Sequence, residues 1–156
     1  MTQGNQPKVV VKNEIEGMRD YINDFLGTRN KGEYTSIDWL DNEDINFSIT
    51  PIPLMDNGLI GRDVTGVERY QYTVQHSVVF NYSADVADMI ENSTYFRQLS
   101  LWIKQQNKEG NFPIFDKDQI VEDVRITQSP YLFQTMPDNQ KAQYTITISV
   151  YYKQQY

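Results

Sequence analysis

The chain contains no cysteine and only one histidine, and both shortages exclude whole classes of catalytic and metal-binding protein. Without cysteine it forms no disulfide, no thiolate nucleophile and no cysteine zinc site. One histidine, His76, is too few for a HExxH zinc protease or an imidazole metal cage, and leaves little for a Ser-His-Asp triad. The remaining classes are a binding or assembly domain and an enzyme with few catalytic side chains.

The chain also lacks an excess of positive charge and any long apolar segment. Its 14 Lys and Arg stand against 21 Asp and Glu, a formal charge of −7, whereas proteins that bind nucleic acid through phosphates carry clustered cations. No apolar run approaches the roughly 20 residues that cross a bilayer, and the first residues do not resemble a signal peptide. We therefore expect a soluble protein, made in a cytoplasm, that binds no membrane.

Tyrosine is abundant in an otherwise polar chain. The 156 residues fit one domain, here 1–156, and include 11 Tyr. Tyrosine buries a large area and keeps a polar tip, which suits strands that contact other proteins. The alternative is that tyrosine is simply a good strand residue.

Helical periodicity appears in two regions. After a flexible arm at residues 1–8, the spacing of apolar residues predicts a helix over 9–26, although Gly17 lowers its propensity by roughly 1 kcal/mol relative to Ala. A second helical region is predicted over 85–108. The apolar residues on these two faces are Val11, Ile15, Met18, Ile22 and Phe25, and Phe96, Leu99, Trp102 and Ile103.

Alternating apolar and polar residues predict strands over 43–82, interrupted by a glycine-rich loop at 56–66, and again over 119–153. A straight strand over 70–82 would span about 44 Å, which exceeds the ~39 Å expected across the whole globule, so it must bend, bulge or project. The predicted fold is α+β, a small mixed, mostly antiparallel sheet of about five strands flanked by two main helices.

His76 and the two tryptophans are candidate functional residues. His76 lies between Val74 and Val78 on the apolar side of the predicted strand, so a core or interface histidine with one hydrogen bond is favoured over catalysis. Trp102 is assigned to the core. Trp39 is either an anchor for a partner or a lid over the core.

Acidic clusters and a glycine-rich segment are the remaining candidates for ligand binding. The clusters are Asp38, Asp41, Glu43 and Asp44, and Asp116 with Asp118. The first lacks the spacing of a calcium loop, so we interpret it as solvated acid and predict no metal site. Residues 61–66 lack the lysine and the strand-to-helix context of a phosphate-binding loop, which favours a flexible interface loop.

Residues 92–113 carry a more specific pattern. Asn92-Ser93-Thr94-Tyr95-Phe96 is followed by Leu99, Trp102-Ile103, Gln106-Asn107 and Gly110-Asn111-Phe112-Pro113. This run resembles the tail terminator (minor capsid, or tail completion) proteins of long-tailed bacteriophages. Tyr131-Leu132-Phe133 and the strand from Tyr144 to Tyr152 look like the last two strands of that family, whereas the loop at 58–66 lies outside the pattern.

The resemblance implies a structural virion protein with no catalytic residues and no cofactor. Such proteins form a hexameric ring at the head-proximal end of the tail, cap the tail tube, stop its polymerisation and form the joint to the head. The implied partners are copies of the chain itself, the major tail tube protein and the head connector or stopper protein. DNA would pass through the lumen without specific binding, and synthesis would occur in the host bacterial cytoplasm.

A ring requires unlike patches that meet between neighbouring subunits. The predicted interface residues are Leu59, Ile60, Arg62, Asp63, Val64, Tyr70 and Tyr72, with Arg62 and Asp63 pairing across subunits. Packing of the same residues within one subunit is the alternative. Two other functions stay open: a head-side stopper or connector ring protein, and a ligand-binding or enzymatic α+β domain with a pocket between the sheet and the Trp102 helix.

Overall fold

The computed structural model describes residues 13–38, 46–81, 86–136 and 140–155, which form two helices and one six-stranded sheet. The helices are α1 (Glu14–Thr28) and α2 (Val86–Glu109). The strands are β1 (Thr35–Ile37), β2 (Asn46–Pro51), β3 (Leu59–Arg62), β4 (Glu68–Asn81), β5 (Gln119–Met136) and β6 (Lys141–Gln154). The predicted α+β class is confirmed, with six strands where about five were expected.

The sheet is built around the long antiparallel pair β4 and β6. Its order is β1-β2-β4-β6-β5, and β3 pairs with β4 on the side where β2 lies. Among the pairings of the described strands, that of β1 with β2 is parallel and the others are antiparallel. The β4–β6 pairing continues without a register shift from Glu68 opposite Gln154 to Asn81 opposite Lys141. The irregularities lie instead in β5, whose register against β6 shifts at four places, and bulges of this kind bend and twist an edge strand.

The first helix buries the stripe that its sequence predicts. Met18, Ile22 and Phe25 are buried, whereas Val11 and the predicted arm lie outside the described residues. The helix continues past the predicted end to Thr28, whose hydroxyl donates to the carbonyl of Phe25 at 2.6 Å. Acidic side chains in its first turn interact favourably with the positive end of the helix dipole.

Gly17 lies at a close approach between α1 and the segment that precedes β5. A Cβ at this position would lie 2.5 Å from the carbonyl oxygen of Ile114 and 2.8 Å from the Phe115 ring. The helix therefore contains glycine because a larger residue would push this segment away, which outweighs the loss of helix propensity.

The segment predicted as a loose glycine-rich loop contains a short strand between two turns. Residues 55–58 form a short 3-10 turn with positive φ at Asp56, Asn57 and Gly58, and this turn leads into β3. β3 then pairs with the start of β4 to form the β3–β4 hairpin, with a register shift between Leu59 and Gly61. Glycine inside a strand often marks such a bulge, and the loop prediction missed this.

The core lies between the helices and one face of the sheet. Val74 and Val78 of β4 and Ile146 and Ile148 of β6 point to this face and are buried, in contact with the layer that contains Leu99 of α2. Trp102 is half-buried between the helices, with its ring centroid 4.8 Å from that of Tyr21 and 5.5 Å from that of Phe25. Neither described helix is long and apolar enough to cross a membrane.

The opposite face of the sheet is lined with hydroxyls and amides. Ser149 lies at its centre and is fully buried among its neighbours. Its Oγ lies 2.8 Å from the Thr73 hydroxyl and 3.0 Å from the Thr127 hydroxyl, and it accepts a hydrogen bond from Gln71 Nε2 at 3.0 Å. The polar side chains of this face therefore satisfy one another along the sheet.

We expect Gly17→Ala to destabilise the protein by about 1–3 kcal/mol, because the new methyl group would overpack the contact with Ile114 and Phe115. Urea denaturation measures this change. Gly27→Ala is the matched control, since nothing lies within 4 Å of a Cβ there, and it should stabilise by up to about 1 kcal/mol. Similar stabilisation by both substitutions would contradict the packing explanation for Gly17.

Candidate functional site

His76 is fully buried and makes two hydrogen bonds, where one was expected. Its Nδ1 lies 3.1 Å from the carbonyl oxygen of Ser48 on β2, and its Nε2 lies 2.6 Å from the hydroxyl of Tyr95 on α2. Since a carbonyl only accepts, Nδ1 carries the proton and donates to Ser48, while Nε2 accepts from Tyr95. The core interpretation of His76 agrees with this placement.

The surroundings of His76 keep the imidazole neutral. Burial lowers its pKa to about 4, although the hydrogen bond to the Ser48 carbonyl acts in the opposite direction. Burial also raises the pKa of Tyr95 well above its ordinary value, so the partner hydroxyl stays protonated. A neutral pair sealed from solvent positions β2, β4 and α2 and offers no reacting group to a substrate.

Tyr95 extends this arrangement to the end of α1. The guanidinium of Arg29 lies over the Tyr95 ring at 4.7 Å from its centroid, and the same guanidinium pairs with the Glu33 carboxylate at 3.2 Å. The Phe25 ring meets the Tyr95 ring edge-on at 5.7 Å. One tyrosine therefore connects the sheet, the second helix and the C-terminal end of the first.

We expect the free energy of unfolding to fall by about 3 kcal/mol as the pH decreases from 6.5 to 4, through His76 alone. The folded chain holds this imidazole at a pKa of about 4, against an ordinary value of 6.5, so the unfolded chain binds one more proton in that window. Above pH 6.5 the contribution is constant. His76→Gln should remove this part of the pH dependence.

The chain has a single histidine, so NMR of its imidazole reports this pKa without an assignment problem. A folded protein whose imidazole titrates near 6.5 would contradict the buried, neutral state. So would a His76→Gln variant whose stability changes with pH between 4 and 6.5 as strongly as that of the wild type.

Tyr95→Phe should destabilise the protein by about 1–3 kcal/mol, because it leaves Nε2 of His76 buried without a donor. Tyr131→Phe is the control, since the Tyr131 hydroxyl is exposed and accepts only a 3.4 Å bond from Gln75; its effect should stay within about 0.5 kcal/mol. Chemical denaturation at pH 7 measures both, and equal effects would contradict the special role of Tyr95.

The structure describes only part of the predicted acidic clusters. Asp41, Glu43 and Asp44 lie outside the described residues. Among the residues that the structure describes, no three His, Asp or Glu side chains lie close enough to share an ion. Asp116 instead accepts a hydrogen bond from the backbone N–H of Lys117 at 2.8 Å, at the turn that leads into β5.

The tip of the β3–β4 hairpin is ordered by Asp63. Its Oδ1 accepts from the backbone N–H of Thr65 at 2.9 Å, from the Thr65 hydroxyl at 2.6 Å and from the N–H of Val67 at 3.1 Å. These bonds lower the pKa of Asp63, and the bond from the Thr65 hydroxyl has the largest effect. Since the carboxylate already binds two of its amides, the tip is a closed turn and not a cradle for phosphate.

The charged side chains of the hairpin pair within one copy. Arg62 donates to Glu68 at 2.6 Å, and Arg69 lies 4.0 Å from Asp63 and 3.3 Å from Glu122. Arg62 and Asp63 thus have partners inside the chain, and their predicted pairing across subunits stays a prediction.

The apolar side chains of the hairpin face outward. Val64 at the tip is fully exposed, Ile60 is 57% exposed, and Met55 in the preceding turn is also exposed, whereas Leu59 is half-buried. Exposure of adjacent apolar side chains is typical of a contact surface. Of the predicted interface residues, Ile60 and Val64 are therefore the ones most available for contact.

Tyr70 and Tyr72 lie on the core face of β4 and are half-buried. The Tyr70 ring stacks on Tyr152 at 5.5 Å, and the Tyr72 ring meets Phe115 edge-on at 6.0 Å. Burial raises the pKa of Tyr72 to about 12. Both tyrosines therefore pack within one copy, which was the alternative to an interface role. Their role in contacts between copies stays a prediction.

A second exposed apolar surface lies on β5, and the predicted interface residues do not include it. Tyr131, Leu132 and Phe133 are all exposed there. β5 forms one edge of the sheet, opposite the edge where β3 lies. A signal was present in the sequence, because three adjacent large apolar residues cannot all face one side of a strand.

Two open grooves that are lined by described residues adjoin the second helix. The larger, ≈ 520 Å³, lies between the C-terminal end of α1 and α2 and is lined by Phe25, Thr28, Leu101 and Trp102, among others. The smaller, ≈ 390 Å³, lies between α2 and β5. His76 lines neither of these two grooves.

No known family model matches the chain, and no curated protein is similar to it in sequence.

Proposed function

We propose that this protein is a structural virion component that forms a ring on the tail tube of a long-tailed phage. The ring stops further addition of tube subunits and forms the joint to the head, while DNA passes through its lumen without specific binding. In this role the protein is located at the head-proximal end of the tail and makes no covalent bonds with its partners.

The observation that carries this proposal is the position of the exposed apolar side chains. Ile60 and Val64 lie on the β3–β4 hairpin, and Leu132 and Phe133 lie on β5 at the opposite edge of the sheet. Unlike surfaces on one chain give head-to-tail contacts, which close into rings when the rotation permits. A terminator needs lateral contacts and further contacts to tube and head, and several separate surfaces suit that demand.

The form of the hairpin also supports an assembly role. Its charged groups pair with one another and Asp63 closes its tip, so the exposed side chains of Ile60 and Val64 are carried by an ordered turn. Ordered surfaces associate at a lower entropy cost than loops that must fold on binding. The helix-and-loop pattern of residues 92–113, which resembles tail terminators, is the support for the phage context.

Size exclusion with light scattering, at rising protein concentration, tests the ring. We expect a hexamer at high concentration and ring-shaped particles in negative-stain electron micrographs. Tail tubes assembled from the tube protein of the same phage should then sediment with the ring and stop growing when it is added.

The alternatives predict different results in these experiments. Rings that bind the head connector and not the tube would support the stopper function. A protein that stays monomeric and binds a small molecule in the groove between α2 and β5 would contradict the structural role and support a ligand-binding domain.

A further inference from the structure

We propose that the outer edge of β5 pairs with the same edge of a second copy, in an antiparallel contact related by a two-fold axis. The segment that pairs is residues 131–136, the last part of the strand. The two sheets then continue into one another across the axis.

The edge of β5 offers backbone groups to a further strand. β5 is the last strand in the sheet order, with β6 on its inner side, and none of the other described strands pairs with its outer side. An edge strand presents a row of backbone N–H and C=O groups that a neighbouring strand can bond to. The chemistry of the edge therefore selects an extended segment of polypeptide as its partner.

The second half of β5 lacks the charges that usually protect an exposed edge. The first half carries Glu122, Asp123 and Arg125, whereas residues 126–136 contain no charged side chain. A neutral edge strand is open to pairing, and the transition from charged to neutral divides β5 into a protected and an unprotected half.

The pairing segment has a defined start. Pro130 lacks a backbone N–H, and the register against β6 shifts between Gln128 and Tyr131, so continuous pairing cannot extend toward the first half of β5. Residues 131–136 contain no proline, glycine or charge. This composition is typical of short strands that associate edge to edge.

Apolar side chains lie on both faces of this segment. The Tyr131 hydroxyl accepts a bond from Gln75 on the polar face of the sheet, whereas Leu132 lies opposite Tyr144, which packs against the core. Tyr131 is 37% exposed and Leu132 is 47% exposed. A strand added beside them covers apolar surface on both faces at once, which adds to the backbone bonds.

Length and charge identify the occupant as β5 of a second copy. At the opposite side of the sheet, β1 has three residues and β3 has four, so neither matches the six residues of the segment. Full antiparallel overlap of 131–136 with itself places Phe133 of one copy opposite Gln134 of the other. Like charges directly opposite one another would destabilise a two-fold pairing, and this segment contains none.

This contact differs in symmetry from the ring proposed above. A two-fold contact closes after two copies, whereas a ring needs unlike surfaces that meet head to tail. Leu132 and Phe133 also belong to the surfaces that support the ring, so one copy uses β5 for one of the two contacts at a time. We expect the dimer at protein concentrations below those that give the ring.

A charge exchange at Gln134 tests the pairing. Gln134→Lys and Gln134→Glu each place a charge beside its own copy, and each variant alone should dimerise about fivefold more weakly than the wild type. An equimolar mixture should regain dimers that contain one copy of each, because opposite charges then meet. Ile114→Lys is the control, since Ile114 is exposed but lies outside the sheet, and it should dimerise like the wild type. Sedimentation equilibrium and native mass spectrometry measure these species, and circular dichroism checks that each variant folds.

A single cysteine tests the two-fold symmetry, because the chain has no cysteine of its own. Gln134→Cys protein treated with a short bis-maleimide should cross-link to itself, since the same residue of both copies lies beside the axis. Val64→Cys on the β3–β4 hairpin is the matched control and should give no product alone. In the dimer, the backbone N–H groups of residues 131–136 should also exchange with deuterium at least tenfold more slowly than in the monomer.

The outcomes separate this contact from the ring. Wild-type hexamers without a dimer, together with Gln134→Cys protein that does not cross-link to itself, would overturn the β5 pairing and leave the ring standing. A dimer whose 131–136 amides gain no protection, or a charge mixture that regains no dimer, would also overturn the pairing. A dimer that passes all three tests but never assembles further would support the pairing and overturn the ring.

Discussion

The hydrogen bonds of His76 are the constraint on which the rest of the structure depends. One imidazole joins the carbonyl of Ser48 on β2 to the hydroxyl of Tyr95 on α2, from a position in the middle of β4. A buried polar group that lost either partner would be left with the cost of its desolvation, so all three elements are held in one arrangement. The same bonds fix the register of β2 against β4, because a shift of β2 by one residue would move the Ser48 carbonyl away from His76.

This constraint reaches the groove between the helices. Tyr95 binds His76 with its hydroxyl, while its ring lies against Arg29 and Phe25 at the end of α1 and forms part of the groove wall. The separation of the helices at this point therefore follows from a hydrogen bond inside the core. The wall of the groove is therefore held in place by contacts inside the same chain.

The sequence predicts what depends on neighbours along the chain and misses what depends on distant contacts. The stripe of α1 and the alternation in β4 follow from periods of 3.6 and 2, and both elements form where expected. The partners of His76 lie 28 and 19 residues away, so no local pattern reveals them. Likewise, the sequence shows only that Gly17 lowers helix propensity, and the reason for a glycine becomes visible when Ile114 is placed beside it.

The glycines at 58–66 show how a correct observation supports a wrong structure. Glycine permits unusual backbone angles, and Gly58 and Gly66 do adopt positive φ. Both belong to turns that bound the hairpin, and the strand β3 lies within the segment that was predicted as a loop. Ile60 and Val64, two of the predicted interface residues in this segment, are exposed in the hairpin.

The polar groups of the sheet already have hydrogen-bond partners, so the exposed apolar residues are the better indication of a contact surface. On the face opposite the helices, Ser149 and its neighbours Thr73 and Gln71 already bind one another, and in the hairpin Arg62 already binds Glu68. These groups have partners without a second protein, whereas Val64 gains nothing from its own chain. Self-association through such a surface does not require the subunit to unfold or to break its own polar contacts, so folding of the subunit can precede assembly.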